Sequence, residues 1–156
     1  MAAKEVGGDF YDFYILGENT LGYLDLKTGN VRVANAGHNP PILIHDGKAE
    51  YVRFKPGLML AMYDDIRYNE QALQLQKGDV LYLYTDDVTE AMDVHDNLYG
   101  EDRLKDLLSY ADRVPEPDER NGLVGSICKM VTADVTKYTI GAEQSDDITM
   151  LCIRYL

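Results

Sequence analysis

The fold is decided by the stretch Gly78-Asp79-Val80-Leu81-Tyr82-Leu83-Tyr84-Thr85-Asp86-Asp87. Its central residues are all aliphatic or aromatic, and a continuous run of that kind is typical of a strand buried on both faces. The run begins after a Lys77-Gly78-Asp79 turn and ends in two carboxylates. The sequence therefore predicts a central strand over 80–84 with an acidic pair at its carboxyl end.

Shorter β-strands are predicted on both sides of this central strand. Asp46-Gly47 stands between two short apolar segments and is the strongest hairpin signal in the chain. Gly29 stands in the turn that follows another strand, where glycine is free to take a positive φ. The predicted strands cover 10–16, 21–26, 31–35, 41–45, 49–54, 69–75, 80–84 and 148–155, and the last of them is expected to be buried.

The hydrophobic period changes to that of a helix after residue 100. A short helix is predicted from about Glu101, and a longer one over 123–138. The apolar face of the short helix comprises Leu104, Leu107, Leu108 and Ala111. Antiparallel strands followed by two late helices predict an α+β fold of packed layers. A chain of 156 residues is the size of one ordinary domain, so we expect a single domain over 1–156.

The composition indicates which classes of macromolecule this chain can bind. The apolar fraction of 46% is enough for a core, and the net charge of -12 argues against nucleic acid, because a phosphate backbone needs lysine and arginine to neutralise it. A phosphorylated protein is an acceptable ligand if a metal ion supplies the positive field. No apolar stretch approaches the roughly 20 residues that cross a bilayer, so no membrane partner is expected.

The expected compartment is the cytoplasm. The residues after Met1 carry no signal-peptide pattern. Cys128 and Cys152 lie in apolar contexts without CxxC spacing, which favours buried free thiols over a disulfide.

Three acidic pairs occur far apart in the chain, each beside an apolar run. Carboxylates at the ends of buried strands are costly unless something compensates them, and a hard divalent cation prefers oxygen ligands. Any one pair is better explained as a cap or a turn, but the three together favour a Mg²⁺ or Mn²⁺ site. The pairs are Asp9 and Asp12, Asp86 and Asp87, and Asp146 and Asp147.

Other binding motifs are absent from the sequence. An EF-hand loop starting at Asp93 would place Leu98 where glycine is needed and Leu104 where glutamate is needed. The three histidines show no HExxH spacing, and His38 is expected to stabilise a turn. No GxxxxGK[ST] loop or GxGxxG is present, so nucleotide binding has no support.

Six segments together resemble the metal-dependent PPM/PP2C-type serine/threonine phosphatases. The resemblance is to their bacterial branch, that of the sporulation stage II E protein and the stress regulator RsbU, and it runs over nearly the whole chain. The segments are Val6-Gly7-Gly8-Asp9-Phe10-Tyr11-Asp12, Asn35-Ala36-Gly37-His38-Asn39-Pro40-Pro41, Gly78-Asp79 with Leu83-Tyr84-Thr85-Asp86, Thr89-Glu90-Ala91, Tyr99-Gly100-Glu101-Asp102-Arg103-Leu104, and Asp146-Asp147-Ile148-Thr149.

The resemblance implies an antiparallel β-sandwich flanked by helices, with a binuclear Mn²⁺ or Mg²⁺ centre. It implies hydrolysis of phosphoserine or phosphothreonine by a metal-bound water, with a phosphorylated STAS-domain anti-sigma factor antagonist as the substrate. By position in the motifs, the residues that resemble the family's catalytic metal ligands are Asp9, Asp86 and Asp146. Asp12 and Asp147 are expected to orient ligands or waters.

The sequence departs from the family pattern in two places. Asp87 stands where the family has glycine, which adds a charge and a Cβ at a tight turn. The family's Asp-Val-Ser-Gly-x-Gly motif, which supplies a carboxylate bridging both metals, is missing, together with the helical segment after it. The chain passes almost directly from one strand to a later one near 17–25. Asp25 belongs to a hairpin turn and is not expected to replace the lost ligand.

Two consequences follow from the missing motif. Without the bridging carboxylate, we expect one metal at reduced affinity, and a catalytically impaired module that docks a signalling partner is the alternative to a phosphatase. One helical layer is also expected to be reduced, so that an apolar sheet face is uncovered and a homo-oligomer or a partner complex forms there.

Overall fold

A computed structural model describes residues 11–15, 20–25, 27–35, 38–53, 70–113, 122–142 and 148–156. The chain divides into two compact units. The first comprises 1–38, 54–77 and Tyr155, and the second comprises 39–53, 78–154 and Leu156. The expectation of a single domain stays a prediction.

The described residues form antiparallel strands and two α-helices, which confirms the predicted α+β class. The strands are β1 (Tyr11–Ile15), β2 (Thr20–Asp25), β3 (Asn30–Asn35), β4 (Ile42–His45), β5 (Lys48–Tyr51), β6 (Gln71–Gln74), β7 (Val80–Tyr84) and β8 (Met150–Arg154). The helices are α1 (Glu101–Leu108) and α2 (Gly122–Tyr138), with short 3-10 segments at Asp86–Val88 and Ala111–Arg113. None of the described helices is long and apolar enough to cross a membrane.

The first unit contains a sheet in the order β1-β2-β3-β6. Its β2–β3 turn depends on Gly29, which has φ +71°, and a Cβ there would lie 2.7 Å from the carbonyl oxygen of Leu75. The Asp25 carboxylate accepts hydrogen bonds from Thr28 Oγ1 at 2.7 Å and from the Lys27 backbone N–H at 2.9 Å. These bonds, that from Thr28 above all, lower the pKa of Asp25. Asp25 is therefore a turn residue, as predicted.

The second unit contains a sheet in the order β5-β4-β7-β8. Every residue of β7 is buried, which confirms the reading of the 80–84 run as an interior strand. The β4–β5 hairpin turns at Asp46 and Gly47, with φ of 46° and 71°. Two successive positive φ values are those of a type I′ turn, which matches the twist of the paired strands.

The last strand differs from its prediction. It spans only Met150–Arg154 within the predicted 148–155, and its side chains are half-buried, or exposed at Arg154, rather than buried. The reason is its place in the sheet, since β8 is the strand at one edge and, among the strands that the structure describes, pairs with β7 alone, while α2 packs against it. Cys128 and Cys152 are free, as predicted, but both are half-buried.

The core of the second unit lies between its sheet and its two helices. The helix faces that the sequence predicted point into this core, and α1 packs against β5 and α2. The largest fully buried side chains are Tyr82, Ile42, Leu104, Leu108, Ile127, Val88 and Val131. Burying such side chains is the main source of this unit's stability, at about 1.5–3 kcal/mol for each aliphatic group.

An ion pair joins the two central strands of this sheet at the end that carries the β4–β5 turn. His45 Nδ1 lies 2.6 Å from Oδ1 of Asp79, a buried carboxylate just before β7. This hydrogen bond, with the nearby charge of Asp46 as a lesser cause, raises the pKa of His45 above its ordinary value of 6.5. The stabilisation is therefore complete below that ordinary pKa and is lost as the pH rises through the raised one.

The pair predicts a pH-dependent stability. Between about pH 5.5 and about pH 8.5, the melting temperature of the wild-type chain is expected to fall further than that of His45→Gln, measured by circular dichroism. Asp46→Asn is the matched control, because Asp46 is exposed, lies 3.5 Å from His45 Nε2 and leaves the contact with Asp79 intact. Equal pH dependence in wild type and His45→Gln would show that the pair contributes nothing.

Candidate active site

The carboxyl end of β7 carries the acidic pair that the sequence singled out. The β7–β8 ladder, which includes Tyr84 and Met150, continues for one more residue beyond both strands. Thr85 N–H donates to the carbonyl of Thr149 at 3.0 Å, and Thr149 N–H donates to Thr85 Oγ1 at 3.2 Å. Thr85 thus fixes the position from which Asp86 leaves the sheet.

A short turn then holds the backbone of Asp86. Its carbonyl accepts hydrogen bonds from the N–H groups of Thr89 and Glu90, both at 2.8 Å, and from Thr89 Oγ1 at 3.1 Å. The Asp86 side chain is exposed and makes no hydrogen bond or ion pair with any residue that the structure describes. A carboxylate on a fixed backbone with free lone pairs is suited to a cation.

Asp146 and Asp147 lie outside the described residues, but the chain next to them is described. Thr149 is paired with Thr85, and Asp146 precedes Thr149 by three residues. Three residues span at most about 11 Å. The chain length therefore permits the Asp146 carboxylate to reach Asp86, which is what a shared cation requires.

The first acidic pair belongs to the other unit. Asp9 lies outside the described residues. Asp12 lies inside β1, where its backbone is in register with Leu24, and its side chain is outside the described part. Convergence of Asp9 and Asp12 with the other pairs stays a prediction.

The described side chains include a carboxylate of the kind that binds a hard cation, but too few of them to complete a metal site. Within the described ranges, no group of three or more His, Cys, Asp or Glu side chains is placed to hold a metal. Asp86 offers carboxylate oxygens, which Mg²⁺ and Mn²⁺ prefer, and Mg²⁺ characteristically takes one or two carboxylates and keeps several waters. Asp86 is therefore the described member of the predicted ligand set.

Aspartate at position 87, where the family has glycine, causes no backbone strain. Asp87 is half-buried in the 3-10 segment, and among described non-glycine residues only Asp46 and Asp96 have a positive φ. The conformation at Asp87 is thus one that any residue adopts, so the added Cβ causes no strain. The replacement of the family's glycine by Asp87 therefore changes only the charge, adding one negative charge beside Asp86.

A side-chain network that the sequence did not reveal fixes the segment after Asp86. Arg103 Nε and Nη2 donate to the two carboxylate oxygens of Asp134 at 2.9 and 3.1 Å, and the Tyr99 hydroxyl donates to the same carboxylate at 2.7 Å. The guanidinium also lies 5.0 Å from the ring of Tyr99 and 4.7 Å from that of Tyr138. The Arg103 contact lowers the pKa of Asp134. The Tyr99–Leu104 motif therefore ties α1 to α2.

Comparison with known proteins gives a consistent family. Residues 17–156 match the sequence profile of the family described as stage II sporulation protein E (SpoIIE). Protein IcfG from Synechocystis sp. is 24% identical over 133 residues, which cover 85% of this chain and 20% of that protein. The chain thus spans about a fifth of the curated relative.

Solved structures show the same fold. The RsbU and RsbW domains of Rv1364c from Mycobacterium tuberculosis align with a TM-score of 0.69 at 22% identity, covering 86% of this chain and 35% of that one. The SiaA PP2C domain of Pseudomonas aeruginosa aligns with a TM-score of 0.66 at 24% identity, covering 87% of this chain and 50% of that one. These likenesses confirm a PP2C-like α+β fold.

Proposed function

Because this chain belongs to the stage II sporulation protein E (SpoIIE) family, we propose that it is a cytoplasmic protein serine/threonine phosphatase. The reaction is hydrolysis of phosphoserine or phosphothreonine on a regulatory protein. The observation that carries the proposal is the exposed carboxylate of Asp86, which has no partner among the described residues and is held on a fixed turn at the end of β7.

The proposed catalytic residues are Asp9, Asp86 and Asp146, which would hold Mn²⁺ or Mg²⁺. Such an ion, when bound, neutralises phosphoryl oxygens and makes water a stronger acid. The chain's own contribution is positional, because the Thr85–Thr149 pairing and the Thr89 hydrogen bonds fix the backbone from which the Asp86 carboxylate would hold the ion. Asp12 and Asp147 are proposed to orient the ligands.

The proposed substrate is a phosphorylated STAS-domain protein, an antagonist of an anti-sigma factor. Support comes from the likeness to a solved chain that contains RsbU and RsbW domains. The net charge of -12 also favours a protein over a nucleic acid as the partner.

Turnover of a phosphoprotein tests the function directly. We expect the whole chain to release phosphate from a phosphoserine form of a STAS-domain protein of its own genome, only with Mn²⁺ or Mg²⁺ present. p-Nitrophenyl phosphate serves as a small substrate that needs no protein docking. If neither substrate releases phosphate in a metal-dependent way, the proposal that this chain is a phosphatase is refuted.

A second function, a catalytically impaired module that docks a signalling partner, is favoured by one observation. The sequence contains no Asp-Val-Ser-Gly-x-Gly segment, the segment that supplies the carboxylate bridging two metals in the family. Retained binding of the phosphoprotein without any turnover would select this function over the phosphatase.

A further inference from the structure

Exposed apolar side chains are concentrated in one part of the second unit. The described residues include six large hydrophobic side chains that are exposed, and four of them lie in the segment 92–98 or just after α2. We name these four the apolar patch, namely Met92, Val94, Leu98 and Ile140. Single exposed hydrophobics are ordinary, whereas a cluster marks an interaction site.

Two observations bring members of the apolar patch, or their chain neighbours, together. Met92 and Leu98 are partners in an antiparallel bridge, and residues directly opposite in such a bridge point to the same side. A Cβ on Gly141 would lie 3.2 Å from Val94 Cγ1, so Val94 lies against the residue that follows Ile140. The patch therefore spans a loop and a helix end.

Hydrogen bonds hold the loop that carries most of the patch. The Asp93 carboxylate accepts the N–H groups of His95 at 2.8 Å and Asn97 at 3.0 Å. The Tyr138 hydroxyl reaches the carbonyls of Asn97 and Leu98 at 3.2 and 3.1 Å. A loop already held in one conformation loses little entropy when a partner binds, which favours a docking role over a surface left exposed by chance.

The charge around the patch indicates the chemistry of its partner. From Gly78 to Asp102 the sequence has no lysine or arginine. Its exposed acidic residues are Asp86, Glu90, Asp96, Glu101 and Asp102, Asp87 and Asp93 are half-buried, and Asp79 is buried against His45 at the start of β7. A complementary surface has apolar side chains ringed by lysine or arginine. A second copy of this chain would instead bring like charge, since the chain carries a net charge of -12.

We propose that the apolar patch docks the phosphoprotein substrate, through a substrate surface of apolar side chains rimmed with lysine or arginine. This inference rests on the proposed function and names the surface by which the substrate is selected. Contacts remote from the phosphate bind ground state and transition state alike, so they lower KM without raising kcat.

The test is the double variant Val94→Ser with Leu98→Ser, with Leu156→Ser as the matched control at an exposed leucine outside the patch. The double variant is expected to raise KM for the phosphoprotein by about 10-fold, because truncated interface contacts commonly weaken binding by that much. Its kcat, and its activity on p-nitrophenyl phosphate, are expected to stay unchanged. Ile140→Ser, which changes no residue of the loop, should act in the same direction.

The outcomes separate this inference from the proposed function. If both substrates are hydrolysed and the patch variants keep the wild-type KM, the docking role is overturned while the phosphatase stands. If neither is hydrolysed, calorimetric binding of the same phosphoprotein decides, and weaker binding by the variants supports docking. Equal binding, or none by the wild type, overturns it. A dimer that only the patch variants lose in sedimentation, with phosphoprotein binding intact, would identify a self-association surface instead.

Discussion

Replacing Asp86 with asparagine is expected to lower the Mn²⁺-dependent kcat/KM for p-nitrophenyl phosphate by more than about 100-fold. Even groups that only support a metal ligand cost about 10–100-fold when removed, so loss of a ligand charge should cost more. Asparagine keeps the size of the side chain, and the backbone bonds from Thr89 and Glu90 do not depend on the carboxylate. The expected loss is thus one of charge rather than of fold.

Calorimetry with Mn²⁺ gives the same test without turnover. The binding heat is expected to weaken in Asp86→Asn and to persist in Asp106→Asn, the control, because Asp106 is an exposed carboxylate on α1. Asp87→Asn should have a smaller effect, since it removes only the extra charge beside the site. Unchanged heats in Asp86→Asn would remove Asp86 from any metal site, and the phosphatase proposal would lose the observation on which it depends.

Local signals in the sequence predicted most of the described fold. The apolar run of β7, the Asp46-Gly47 turn and the glycine at position 29 each encode their conformation within a few residues. The apolar faces of the helices could also be predicted, because hydrophobic residues recurring every 3.6 positions are recognisable without knowing which element the helix packs against. These elements were sufficient for the α+β class and for the acidic end of β7.

Features set by distant contacts could not be predicted in this way. The half-burial of β8 follows from its place at a sheet edge, which no local pattern reports. Asp134 meets Arg103 across 31 positions of sequence, so its helical surroundings gave no sign of an ion pair. The sequence shows only that Asp87 adds a charge and a Cβ where the family has glycine, and the backbone is needed to show that no glycine conformation is required there.

Leu104→Ala is expected to lower the free energy of unfolding of the second unit by about 2–5 kcal/mol. Leu104 is fully buried on α1, in the same core as Tyr82 and Ile127. Truncation therefore leaves a cavity as well as losing apolar burial, against a total stability of about 5–15 kcal/mol for an ordinary domain. Urea denaturation followed by circular dichroism measures the difference. Circular dichroism is suitable because the chain has no tryptophan whose fluorescence could report unfolding.

Two companion variants separate the cavity from other effects of changing α1. Leu104→Met conserves volume and is expected to cost less than about 1.5 kcal/mol. Leu107→Ala makes the same chemical change at a half-buried position of the same helix, so it should cost less than Leu104→Ala. Equal losses at positions 104 and 107 would mean that the deeper burial of Leu104 adds nothing to the packing of α1, because alanine is a better helix former than leucine and helix propensity cannot cause either loss. Since α1 also carries Arg103, which contacts Tyr99 and Tyr138, a loosened α1 should in addition weaken docking at the apolar patch.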